Sequence, residues 1–278
     1  MPSVKGILEI KRLPVFRPSA IVAAICACVV LLSLGSNAAP RELPRDALWI
    51  VVHNLCVPGQ TQLHDPRPCL QVDLRNGIEN GFAILRDPRG GAQFLLVPTT
   101  RIPGIESPIV RDPSGLNYFA SAWESRHLID EALHLTLTRD AVGLAINSVE
   151  SRSQDQLHIH FSCVRTDVWE TLHKNEGKIG DHWTQFNMPL YQRVYIAMWV
   201  PGEHLSGHNP FTLLAQGLPG AIQDMGDRTL VVTGFTRSNG TKGFVLLTDR
   251  ADKQTGDLAD GEDLLDHSCH IAALGKTS

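Results

Sequence analysis

The chain has 278 residues, 43% of them hydrophobic and 19% charged, with a formal net charge of -4. That balance excludes a disordered polyelectrolyte and a basic polyanion-binding surface, so nucleic acid is not an expected partner. The length allows one large domain or two small ones, each with a real core.

At the N-terminus, Lys5, Lys11, Arg12 and Arg17 precede an uncharged apolar run from Ala20 to Gly35, and small residues follow at Ser36-Asn37-Ala38-Ala39. Basic, apolar and small-residue regions in that order predict an export signal over 1–38, cleaved after Ala38 or retained as an anchor. The apolar run is shorter than the roughly 20 residues of a bilayer-spanning helix. In both cases the positive-inside tendency places residues 39–278, expected as one domain, on the outer side of the membrane.

Of the six cysteines, Cys26 and Cys28 fall in the apolar run, which leaves Cys56, Cys69, Cys163 and Cys269. An even number in an oxidising compartment predicts two disulfides, for which three pairings exist on paper. The short stretch from Cys56 to Cys69 contains His64-Asp65-Pro66-Arg67-Pro68 and reads as a loop closed by a local bridge. Cys163 with Cys269 is then the second pair.

Arg45 to Leu55 is apolar and fits a short helix or a strand equally well. Phe82-Ala83-Ile84-Leu85 and Phe94-Leu95-Leu96-Val97 flank Asp87-Pro88-Arg89-Gly90-Gly91, which predicts a hairpin. After a Pro-rich connection, Ser114 is the expected cap of a helix with apolar positions Leu116, Phe119 and Trp123, a stripe read as core. Val142 to Ile146 predicts a strand ending at Asn147-Ser148, paired antiparallel with the segment around His158. Further strands are expected at Val194–Val200, Leu230–Phe235 and Phe244–Thr248, the last two joined through Ser238-Asn239-Gly240-Thr241. Short helices start at Asn209-Pro210 and at Pro219. Hairpins with interspersed helices predict an α+β fold around an antiparallel sheet.

The segment Gln156-Leu157-His158-Ile159-His160-Phe161-Ser162 carries the chemistry. In a strand, residues two apart share a face, so Gln156, His158, His160 and Ser162 form a polar face opposite Leu157, Ile159, Phe161 and Cys163. A purely structural role requires both imidazoles to be hidden and hydrogen-bonded. Three chemistries compete with it. Two histidines at this spacing can chelate zinc, with His267 and His270 as distant candidates, although no carboxylate follows the pair closely. The His-x-Ser/Thr pairs His160-Phe161-Ser162 and His134-Leu135-Thr136 fit a two-histidine phosphodiesterase. A neutral imidazole can also attack phosphorus itself, with the second histidine stabilising the oxyanion or leaving group.

Asn147-Ser148, Ser153-Gln154 and the run from Gln156 to Cys163 resemble the histidine-triad superfamily, whose motif is three alternating histidines after an Asn-bearing strand. More narrowly, the chain resembles the bacterial CDP-diacylglycerol pyrophosphatases. That resemblance rests on Val97-Pro98-Thr99-Thr100-Arg101-Ile102, Glu106-Ser107-Pro108, Asp112-Pro113-Ser114, Leu144 to Ser148, His158 to Arg165, Pro210-Phe211, Gly243 to Leu247 and Asp266-His267.

The resemblance implies a histidine-triad-like fold and metal-independent, cofactor-free cleavage of CDP-diacylglycerol to CMP and phosphatidate. His158 takes the nucleophile position and His160 the third triad position. Asn147, Ser153, Gln154 and Gln156 take positions near the phosphate, and Arg101 is the expected phosphate contact. Gln156 stands where the first triad histidine belongs; an amide bonds but cannot titrate. The implied location is the periplasmic side of the inner membrane, anchored or soluble. A membrane surface is the implied partner and no protein partner is indicated. The non-catalytic alternative is an exported nucleotide- or lipid-binding domain.

Overall fold

The computed structural model describes residues 44–276, so the expected signal over 1–38 lies outside the described residues. Among the described residues, no helix is long and apolar enough to cross a membrane.

Among the described residues, ten strands form one antiparallel sheet: β1 (Gln71–Asp73), β2 (Phe82–Arg86), β3 (Phe94–Pro98), β4 (Val142–Ile146), β5 (Ile159–Val164), β6 (Thr184–Leu190), β7 (Arg193–Pro201), β8 (Leu230–Thr236), β9 (Lys242–Thr248) and β10 (Leu265–Asp266). Their order is β1-β2-β3-β5-β4-β8-β9-β7-β6, with β10 paired to β5. The fold is therefore α+β, as the sequence predicts. The β2–β3 and β8–β9 hairpins form where expected, and β4 pairs β5 through Ala145 opposite His160.

The helices are α1 (Ala47–Val51), α2 (Tyr118–Glu124), α3 (His127–Leu133), α4 (Thr166–Lys174), α5 (Pro210–Gly217) and α6 (Ala221–Asp224). The ambiguous stretch after Arg45 is thus helical, and α1 runs on into wider turns at Val52–Cys56 and Gly59–Leu63. The cap of α2 is a correction. Asn117, not Ser114, accepts the Ala120 N–H, while the Ser114 hydroxyl and N–H both bond Asp112 in a preceding turn.

Both predicted disulfides are present, Cys56–Cys69 and Cys163–Cys269. The first lies beneath α1. The second ties β5 to the segment that follows β10.

The two faces of the sheet differ. On one, Phe94, Leu96, Leu144, Ile146, Ile159, Phe161, Val232 and Phe244 form a continuous apolar layer under α2, α3 and α5, with Trp123 fully inside it. Burial of this face supplies the main stabilisation of the fold. On the other face the apolar packing splits in two. Leu95 and Val97 pack beneath α1 with Val52 and Cys56, whereas Ala145, Val231, Val245 and Leu247 pack with Val168 and Leu172 of α4. His160 stands between these clusters, with Leu95 as its partner on β3 and Ala145 as its partner on β4.

Candidate active site

The histidine segment enters the sheet later than strict alternation predicts, because β5 begins only at Ile159. After Pro98 the neighbouring chain leaves the ladder, and the Gln156 side chain satisfies its backbone. The amide donates to the Pro98 and Thr100 carbonyls, at 3.0 and 2.9 Å, and accepts from Ile102 N–H at 3.2 Å. Gln156 is completely buried, and both its amide protons are committed to the backbone. It is thus a clasp between two backbone segments rather than a phosphate contact. Gln156→His is expected to destabilise the fold by about 1–3 kcal/mol through unmade buried bonds, with no gain in turnover. Denaturant unfolding and a turnover assay check this directly.

Its carbonyl does touch the chemistry. His158 Nδ1 lies 2.7 Å from Gln156 O, and a carbonyl only accepts, so Nδ1 carries the proton and the lone pair of the neutral ring sits on Nε2. Among the described residues, nothing hydrogen-bonds that Nε2. The His160 ring stands edge-on to it with centres 4.9 Å apart.

His160 is held at one nitrogen and faced by a carboxylate at the other. Gln93 Nε2 approaches Nδ1 at 3.0 Å, and Glu262 Oε1 lies 3.1 Å from Nε2, at ion-pair distance but off the hydrogen-bond direction. Gln93 shares the face of Leu95 by alternation along β3. Asn147, at the end of β4, donates to Glu262 Oε1 at 3.0 Å and accepts the Gly261 N–H at 2.9 Å. Gln93 and Arg89 both donate to Glu262 Oε2. Arg89 also makes two side-chain bonds to Asp87, each 3.0 Å, and a backbone bond of 2.8 Å. His267 Nε2 lies 3.8 Å from the same Glu262 oxygen. Three loops therefore meet at His160: the β2–β3 turn, the end of β4 and the approach to β10.

Burial pushes the His158 imidazole below its ordinary value, against the Gln156 carbonyl and the carboxylates of Glu262 and Asp87, while Arg152 adds to the lowering. Burial pushes His160 well below, reinforced by His158, Arg89 and His267. Burial thus favours the neutral form of both rings. Burial alone raises the Asp87 carboxyl, but its bonds from Arg89 prevail and hold it low.

Asp87, His160 and Glu262 offer ligand atoms within 4.8 Å of one another. They do not fit a metal ion, because the Arg89 guanidinium already bridges the two carboxylates as the resident cation. His270, the other distant metal candidate, pairs with Asp266 and is exposed. His134 caps α3 on the opposite face of the sheet, which removes the two-histidine phosphodiesterase pairing with His160.

Of the residues singled out in the sequence, His158, His160 and Asn147 come together. Arg101 does not join them, because its guanidinium pairs with Asp46 and lies over the Trp49 ring, 5.8 Å from its centre. Ser153 is exposed on the β4–β5 connection. Gln154 accepts from Leu48 N–H at 2.8 Å and so fastens α1. The arginine near His158 is instead Arg152, 7% exposed and gripped by Glu106 through bonds of 2.7 and 2.8 Å. Gly104 leaves room for it; a Cβ there would stand 1.8 Å from Arg152 Nη1.

A sequence profile of the CDP-diacylglycerol pyrophosphatase family matches residues 43–273, the whole of the sheet and its site. The chain belongs to this family. A CDP-diacylglycerol pyrophosphatase of Yersinia pestis is 36% identical over 243 residues, covering 87% of this chain and 91% of that protein. For this CDP-diacylglycerol pyrophosphatase family member, sequence reasoning missed Glu262, Arg89, Asp87 and Gln93. Asp87 and Arg89 were visible only as turn residues. Gln93 extends the alternation of Leu95 and Val97, and that was the available signal.

Proposed function

We propose that the chain hydrolyses the pyrophosphate of CDP-diacylglycerol to CMP and phosphatidate by metal-independent nucleophilic catalysis of the histidine-triad kind. The observation that carries this reading is the Gln156 carbonyl on His158 Nδ1, which leaves an unprotonated Nε2 beside a charged cluster. The Nε2 lone pair attacks the cytidine-side phosphorus. The bond to the bridging oxygen breaks, and its electron pair departs with phosphatidate, an anion that needs no proton to leave. The resulting cytidylyl-imidazolium keeps its Nδ1 proton. Water then attacks the same phosphorus, the P–N electrons return to Nε2, and CMP leaves as a proton is released. Arg152 and Arg89 supply positive charge near the pair.

The family resemblance and the two disulfides support an exported protein working on the periplasmic side of the inner membrane, anchored or soluble. Exposed Ile50 on α1, and Leu55, Leu63 and Leu70 in the segment that follows it, are candidates to meet the acyl chains. Hydrolysis in heavy-oxygen water tests the chemistry. The label is expected in CMP, and label confined to phosphatidate would sink the mechanism.

A further inference from the structure

His160 has no nitrogen left for substrate, because Gln93 takes Nδ1 and Glu262 faces Nε2. Building on the nucleophile assignment above, we infer that Glu262 is a positioning residue whose carboxylate, acting through His160, balances the positive charge that His158 gains on bonding to phosphorus. As the P–N bond forms from the Nε2 lone pair, the His158 ring acquires a full positive charge. That ring is only 8% exposed, and an unbalanced charge there is costly.

The Gln156 carbonyl and the His160 ring touch His158, and the charges that act on it are those of Glu262, Arg152 and Asp87. The carbonyl stabilises the Nδ1 end, and a neutral His160 adds no repulsion. Arg152 opposes the new charge, and only the two carboxylates favour it. Asp87 is committed to Arg89 by three bonds and is largely compensated. Glu262 shares that arginine through a single bond and is otherwise held by the neutral donors Asn147 and Gln93, so it retains charge to offer. Its position is fixed from both sides, since Asn147 also accepts the Gly261 N–H and Asp260 accepts the Glu262 N–H. His160, edge-on to His158 and 3.1 Å from Glu262 Oε1 through Nε2, is the spacer that keeps the carboxylate near the nucleophile without letting it compete for phosphorus.

The test is Glu262→Gln, which keeps the shape and removes the charge. We expect kcat to fall about tenfold to a hundredfold with KM within about twofold. The acidic limb of the kcat/KM profile is expected to move to lower pH, because a neutral residue 262 makes His158 harder to protonate. Glu262→Asp keeps the charge and is expected to leave that limb near its wild-type position. Should Glu262→Gln not fold, Asn147→Ala, which releases the carboxylate from His160, carries the same expected shift. An unmoved limb with unchanged kcat, in a protein whose wild type forms the cytidylyl adduct on His158, overturns the role of Glu262. A wild type that forms no such adduct overturns the nucleophile assignment beneath it.

Discussion

His158→Ala is expected to lower turnover by roughly a thousandfold or more while leaving the circular dichroism spectrum of the fold unchanged. The size follows from the loss of the attacking atom, whose bond to phosphorus no neighbouring group replaces. His160 cannot substitute, since its Nδ1 faces Gln93 and its Nε2 faces Glu262. The fold is expected to survive because β5 is anchored by Ile159, Phe161 and Cys163 on its apolar face. Chelator is expected to leave the wild-type rate untouched, because a guanidinium already sits between the carboxylates. A His158→Ala variant with near-normal turnover would return the problem to the other reading, in which the pair is a buried structural feature. That reading gained one point from the structure: both imidazoles are hidden and hydrogen-bonded, as it requires. The convergence of Glu262, Asp87, Arg89 and Arg152 on them is what it does not explain.

The second large effect is expected at the Cys163–Cys269 bridge. It closes a separation of 106 residues, for which chain entropy gives a stabilisation of about 4–5 kcal/mol. Its position adds a functional cost. The segment it fastens carries Glu262, Asp266 and His267, and is further held to β5 by the β10 pairing and by the Ser162 hydroxyl near the Asp266 carbonyl. A Cys163→Ser, Cys269→Ser double variant is expected to lose both stability and turnover, the latter even under conditions where the variant is folded. The Cys56–Cys69 bridge closes a separation of 13 residues beneath α1, and its removal is expected to cost about 3 kcal/mol with a much smaller change in turnover. Denaturant unfolding beside turnover on both double variants checks the contrast. A turnover loss confined to the Cys56 and Cys69 variant would contradict it.

The local half of this architecture was legible in the sequence and the convergent half was not. Hairpins with Gly-rich turns, the β4–β5 pairing and both disulfides follow from alternation, turn chemistry and spacing, which are short-range signals. Strand β6 was missed because it is an edge strand: only Phe186 and Leu190 are buried, and Pro189 interrupts it. Helix α4 was missed because Val168 and Leu172 are its only fully buried residues.

At the site, His158, His160 and Asn147 could be found because one strand pair places them. Glu262 could not, since it reaches His160 across more than a hundred residues of chain through a segment without periodicity. Arg101 misled because a family-like block surrounds it, while its charge is spent on Asp46. Gln156 changed most in meaning. In the sequence it stands where the first triad histidine belongs; in the structure its side chain clasps the backbone and its carbonyl fixes the tautomer of His158.

The most direct measurement is the mass and position of the covalent intermediate, trapped by rapid alkaline quenching of CDP-diacylglycerol turnover and located by peptide mass spectrometry. The account predicts a cytidylyl group on His158. A cytidylyl group on His160, a phosphatidyl group on either histidine, or turnover with no adduct at His158 would contradict it.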